Sequence, residues 1–122
     1  MNIEETKKIT LSLLDTFNKV GNISLSLRKA GLTKKNKPDN TPVSNADIEV
    51  NKILTQKISE VTPNIAIISE EASSYKDNRN LKNFWLIDPI DGTRDYINNK
   101  DEFTINAALI LNNKPAIGII NA

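Results

Sequence analysis

Two aspartates stand three residues apart in the run Trp85-Leu86-Ile87-Asp88-Pro89-Ile90-Asp91-Gly92-Thr93, directly after an apolar segment. A second acidic pair, Glu70-Glu71, follows another short apolar segment, Ile65-Ala66-Ile67-Ile68, and Asp47 closes the run Thr41-Pro42-Val43-Ser44-Asn45-Ala46-Asp47. If the two apolar segments are buried strands that share a sheet edge, their carboxylates converge. Converging carboxylates repel, and one would be driven to keep its proton unless a cation lay between them. A donor set made only of oxygen points to Mg²⁺, Mn²⁺ or Ca²⁺ rather than to zinc or copper. Pro89 has a fixed φ and stiffens the stretch between Asp88 and Asp91. Gly92 lets a backbone approach closely, and a helix opening at Gly92-Thr93 would aim free N–H groups at a phosphate. Metal ligands beside a phosphate cradle are the parts of metal-assisted phosphoryl transfer, with the Thr93 hydroxyl placed to orient a water.

Composition narrows the alternatives. The 122 residues contain no cysteine and no histidine, so thiol catalysis, disulfide scaffolds, His-based triads and His-containing zinc sites are excluded. Any hydrolysis must run on carboxylates, hydroxyls, backbone dipoles and hard cations. A formal net charge of +1 lacks the basic excess of a dedicated nucleic-acid binder. With 39% hydrophobic and 25% charged residues, a globular product of single-domain size is expected. No apolar run is long enough to span a bilayer, and the start MNIEETKK lacks the order of a secretory signal.

The elements that must position these residues can be read from periodicity. Ile9, Leu13, Phe17 and Val20 make one stripe of a helix over residues 3–29, with Gly21-Asn22 as a weak point that marks a bend and Gly31 as its stop. Residues 31–42 read as a polar loop. A second helix over 45–60 buries Val50, Ile53, Leu54 and Ile58. Residues 65–68 and 84–87 read as short buried strands, 71–83 as a surface loop, and 92–98 as a short helix. Two more strands, 103–111 and 115–120, flank the hairpin signal Asn112-Asn113-Lys114. Helices early and an antiparallel hairpin late suggest an α+β fold or a layered α/β sandwich.

Each motif also has a plainer reading. Ser44 to Asp47 fits a helix capping box, a role compatible with a catalytic one. Glu70-Glu71 alone would be a solvated pair, and Asp88 to Thr93 alone a turn. Arg28, Lys29, Lys34, Lys35 and Lys37 read as a solvated loop, with mild steering of an anion as the sharper alternative. Phe84 and Trp85 read as core.

Taken together, the three acidic motifs resemble those of the inositol monophosphatase superfamily, in order and spacing, and the resemblance runs from the first helix to Ala122. The segment Arg94-Asp95-Tyr96-Ile97, then Asp101-Glu102-Phe103-Thr104-Ile105-Asn106-Ala107-Ala108-Leu109-Ile110, is similar to the branch of bacterial CysQ-type 3'(2'),5'-bisphosphate nucleotidases. The resemblance implies the inositol-monophosphatase/fructose-bisphosphatase type of sandwich with a mainly antiparallel sheet. It also implies two or three Mg²⁺ ions. Glu70, Asp88 and the Ile90 carbonyl would hold one, and Asp88 would bridge to another held by Asp91. Asp47 and Thr93 would position and deprotonate the attacking water, and the Gly92 and Thr93 backbone would bind the substrate phosphate. Glu71 would support these ligands or an additional ion. The implied reaction is hydrolysis of adenosine 3',5'-bisphosphate to AMP and phosphate, with inositol or another sugar monophosphate as the alternative substrate. Lithium sensitivity, a place in sulfur metabolism and a cytoplasmic location, with peripheral inner-membrane association, follow from the same likeness.

Members of that superfamily carry a second half with a tryptophan–aspartate motif that completes the metal site, and these 122 residues lack it. Residues 1–122 are therefore expected to be the N-terminal metal- and phosphate-binding portion. Three outcomes stay open: a piece with weak activity, half of a split enzyme that takes its C-terminal half in trans, or a non-catalytic remnant. The unpaired edge of the last strand predicts self-association, including a homodimer.

Overall fold

In the computed structural model, which describes residues 1–69 and 81–122, the first helix α1 (Ile3–Ala30) lies beside α2 (Asn45–Val61). The two cover one face of a four-stranded sheet with order β3 (Ala66–Ser69), β4 (Phe84–Asp91), β5 (Thr104–Leu111), β6 (Lys114–Asn121). β3 and β4 run parallel and the remaining pairs antiparallel. The core forms where the helix stripes meet the inward sheet residues. Leu13, Phe17 and Val20 of α1 and Val50, Leu54 and Ile58 of α2 pack on Trp85, Ile87, Ile105, Ala107, Leu109, Ile117 and Ile119. Alternation along the strands sends every second residue inward. Trp85 satisfies its buried N–H by donating to Thr62 Oγ1 at 3.0 Å.

Several boundaries differ from the sequence reading. α1 runs unbroken through Gly21-Asn22. At Gly21 a Cβ would sit 3.0 Å from Asn121 Oδ1, so the small residue serves close approach of α1 to β6 rather than a bend. The polar stretch 31–42 is not all loop. It contains β1 (Lys34–Asn36), which pairs antiparallel with β2 (Pro42–Ser44). The β1 side chains are all exposed, so no hydrophobic alternation announces it. The hairpin between β5 and β6 turns on Asn112 and Asn113, both at positive φ (51° and 64°), as a tight two-residue turn requires. Arg28 is not a solvated loop residue. Its guanidinium lies 5.4 Å from the ring centres of both Tyr96 and Phe103 and pairs with Asp101 at 2.6 Å.

The short helix α3 (Thr93–Ile97) follows β4 after a single residue, Gly92. It is tied down by Tyr96, whose ring meets Phe103 edge-on at 4.8 Å and whose hydroxyl donates to the Ser24 carbonyl at 2.6 Å. Burial pushes the Tyr96 phenol up to about 12, against the opposing pull of Arg28. An unfolded tyrosine titrates near pH ~10. The fold therefore favours the neutral phenol, and this contribution is complete below that pH and lost as pH rises through the folded value. The denaturation midpoint should fall between pH ~10 and ~12, and the Tyr96→Phe variant should show a shallower fall over that window. A decline of equal steepness in both proteins would contradict it.

Candidate active site

The site begins with Asp47, fully buried in the first turn of α2. Its Oδ2 accepts from the Ser44 amide at 2.8 Å and the Ser44 hydroxyl at 2.6 Å, while Ser44 Oγ caps the helix. Its Oδ1 accepts from Thr93 Oγ1 at 2.9 Å. One carboxylate oxygen therefore serves the capping box while the other meets the Thr93 hydroxyl. The capping oxygen fixes the orientation of the other. Thr93 Oγ1 also lies 2.9 Å from the Ile90 carbonyl. A hydroxyl has one proton and two lone pairs, so donation to Asp47 leaves Thr93 able to accept from a water and leaves the Ile90 oxygen available as a ligand.

β4 does not stop at Asp88. It continues to Asp91, and its register against β5 shifts between Asp88, opposite Asn106, and Asp91, opposite Thr104. Three steps on β4 thus match two on β5, which is a β-bulge. In a regular strand, residues three apart point to opposite faces. The extra residue cancels that inversion, so Asp88 and Asp91 share the face turned away from the helices. Pro89 lies inside the bulge, where the ladder is interrupted and its missing N–H is tolerated. Asp88, Ile90, Asp91, Gly92 and Thr93 line one pocket of about 400 Å³.

Gly92 turns the chain from β4 into α3. Its φ of 85° and ψ of 37° lie in the left-handed region, and a Cβ would stand 2.7 Å from the Glu102 carbonyl oxygen. No side chain caps the first turn of α3. On the pocket's other wall are Lys37, Asp39 and Thr41 from the β1–β2 ribbon, together with Arg94. Sequence reasoning missed Asp39, Thr41 and Arg94 as lining residues. Hydrogen bonds from the Thr41 hydroxyl and amide hold the Asp39 carboxyl below the ordinary carboxylate range. The Asp39-Asn40-Thr41 sequence is itself a turn signal that would have flagged the ribbon.

The parallel pairing of β3 with β4 brings Ser69 opposite Ile87, one residue before Asp88. Glu70 and Glu71, expected to complete the cation site, lie outside the described residues. Among the described residues no three acidic side chains gather closely enough to hold a metal. What these residues supply is two carboxylates on one sheet face and a carbonyl, an all-oxygen set suited to a hard cation. Larger pockets lie elsewhere, one of them between the end of α1, the ribbon and α3, but none of those joins Asp88 and Asp91 to Thr93.

The inositol monophosphatase family profile matches residues 4–122. The chain is 43% identical over 88 residues to a 3'(2'),5'-bisphosphate nucleotidase CysQ from Haemophilus influenzae, which covers 70% of this chain and 33% of that protein. It is 37% identical over 87 residues to the Escherichia coli K12 protein of the same description, covering 70% and 35%. In fold it overlays a Staphylococcal inositol monophosphatase-1 from an inhibitory complex soaked in LiCl, at a TM-score of 0.83 and 20% identity, over 94% of this chain and 44% of that one. An IMPase/NADP phosphatase complexed with Mg²⁺ and phosphate overlays at 0.81 and 21% identity, over the same shares. The chain thus spans about a third of the length of the curated relatives it matches.

Proposed function

Because the chain belongs to the inositol monophosphatase family, we propose that it forms the metal- and phosphate-binding part of a Mg²⁺-dependent phosphomonoesterase that removes the 3'-phosphate of adenosine 3',5'-bisphosphate. The observation that carries this reading is the placement of the Asp47–Thr93 hydrogen bond at the pocket lined by Asp88 and Asp91. The substrate follows from the CysQ relatives, described as 3'(2'),5'-bisphosphate nucleotidases.

Asp88, Asp91 and the Ile90 carbonyl, with Glu70, would hold the cations. Mg²⁺, when bound there, supplies positive charge against the phosphate and makes a water more acidic. Thr93 Oγ1 accepts a hydrogen bond from the attacking water while donating its own proton to Asp47, which fixes the direction of attack and leads the water's proton toward a carboxylate. Asp47 can take that part because Ser44 holds its carboxylate rigidly, with the other oxygen toward Thr93. The uncapped amides after Gly92 face the pocket end of α3 and suit a phosphate oxygen. Arg94 and Lys37 add positive charge at the rim, which favours an anionic substrate.

The test is phosphate release from adenosine 3',5'-bisphosphate and from inositol 1-phosphate, with and without Mg²⁺. It should be run on this chain alone and on the chain joined to the part of the Haemophilus influenzae relative that it does not match. The joined protein should release phosphate from the bisphosphate at least tenfold faster than from inositol 1-phosphate, and chelation should abolish release. Equal rates on both substrates would move the assignment to an inositol or sugar monophosphatase. Release that persists in chelator would remove the cation from the account.

A further inference from the structure

The turn that carries Thr93 hinges on Gly92, and glycine does not hold a conformation by itself. With no Cβ it populates many backbone states, so its surroundings must select one. Behind Gly92 lies the stretch 100–103, which leads from α3 into β5. A Cβ added at Gly92 would stand 2.7 Å from the Glu102 carbonyl oxygen and 3.5 Å from Phe103 Cα. Residues 100–103 belong to no helix or strand. The sheet ladder takes hold only at Thr104, opposite Asp91.

Arg28, in the last turn of α1, grips this stretch. Its Nη1 donates to the Lys100 carbonyl at 2.9 Å and its Nη2 to Asp101 Oδ1 at 2.6 Å. The guanidinium also lies 5.4 Å from the ring centres of Tyr96, in α3, and Phe103. One side chain therefore holds the start of the stretch by hydrogen bonds and its end by ring contact. Tyr96 donates to the Ser24 carbonyl, so α3 is tied to the same helix. These contacts need an arginine: its planar fork offers two donors at once while its faces stack on aromatic rings, and an ammonium cannot do both. The Arg28 side chain is 12% exposed, but that of Asp101 is 84% exposed. A carboxylate so far into water adds little stability. The weight of the contact is geometric.

We propose that Arg28 is a positioning residue of the site: it holds residues 100–103 against Gly92 and so keeps Thr93 aimed at Asp47. Arg28 is not among the described residues that line the pocket of Asp88, Asp91 and Thr93. It acts through the turn. Its effect on rate rests on the function proposed above; its effect on geometry does not.

Backbone amide NMR of the chain reads the geometry whether or not phosphate is released. Arg28→Met keeps an unbranched side chain between the rings and removes both donors. Arg28→Lys keeps the charge as well and loses the fork. Both should shift the Gly92 and Thr93 resonances and leave those of Leu54 and Ile119, in the core, in place. Gly92 and Thr93 resonances that do not move would overturn the proposal; if Arg28→Met unfolds the chain, Arg28→Lys alone decides. The rate is read in the chain joined to the unmatched part of the Haemophilus influenzae relative. There Arg28→Met should lower phosphate release about tenfold, as a misplaced reacting group does. When Thr93 is already replaced by valine, the further loss should be less than about twofold, because the two residues act as one unit. An equal loss in both backgrounds would make Arg28 a general support of the fold and refute the positioning role. A joined protein that releases no phosphate at all would count against the proposed function and leave the resonances to decide on Arg28.

Discussion

Replacing Gly92 with alanine should unfold the end of β4 and destroy the site. The residue sits at a φ of 85°, and an added Cβ would lie 2.7 Å from the Glu102 carbonyl oxygen. The conformational term alone is about 1–2 kcal/mol for a residue with a Cβ. The steric term cannot be relieved by a rotamer change, because the obstacle is backbone, and forced repacking of this kind costs a further ~1–3 kcal/mol. A loss on the order of 3 kcal/mol is a large share of the stability of a chain this size. Denaturant unfolding of Gly92→Ala against wild type measures it directly. The substitution also separates Thr93 from Asp88 and Asp91, so phosphate release should be lost even under conditions where the variant stays folded. A variant within about 0.5 kcal/mol of wild type would mean that Gly92 is not held in this conformation.

The second large effect belongs to Asp47. In Asp47→Asn one of the two side-chain positions becomes a donor. If the nitrogen faces Ser44, it meets the amide that Asp47 Oδ2 now accepts from. If it faces Thr93, the hydroxyl must give its proton to Ile90, whose carbonyl is also 2.9 Å away. The first arrangement costs the helix cap and the second costs the acceptor for the water's proton. A destabilisation of about 1–3 kcal/mol is expected, with phosphate release lowered about 10²- to 10⁴-fold, the range for a positioned acid–base group. Thr93→Ser should keep most of the rate, because it keeps the hydroxyl, while Thr93→Val should match the Asp47→Asn loss in rate. Activity that survives Thr93→Val would detach the dyad from the chemistry.

The helix stripes were legible because long elements repeat their apolar positions many times, as Leu13, Phe17 and Val20 do. The hairpin was legible because two consecutive asparagines tolerate the positive φ that its turn needs. The end of β4 was harder to read. Asp88-Pro89-Ile90-Asp91 has the composition of a turn, and only the pairing with β5 turns it into a strand with a bulge. That bulge is what puts the two aspartates on one face; the convergence expected from two strand ends also involves Glu70 and Glu71, which lie outside the described residues. The β1–β2 ribbon was missed because the β1 side chains are all exposed and leave no apolar alternation, so only the turn signal Asp39-Asn40-Thr41 pointed to it. Arg28 was misread for the opposite reason: a basic residue among lysines resembles a solvated face, and its packing over Tyr96 and Phe103 depends on contacts distant in sequence.

The assignment rests on hard cations seated at Asp88 and Asp91, within reach of the Thr93 hydroxyl. Anomalous diffraction from crystals grown with Mn²⁺, a stand-in for Mg²⁺ with a usable signal, locates them. A peak bonded to oxygens of both aspartates, at about 2.0–2.3 Å, that disappears in Asp88→Asn is the expected result. No peak at this pocket at millimolar Mn²⁺, or peaks elsewhere on the chain only, would contradict it.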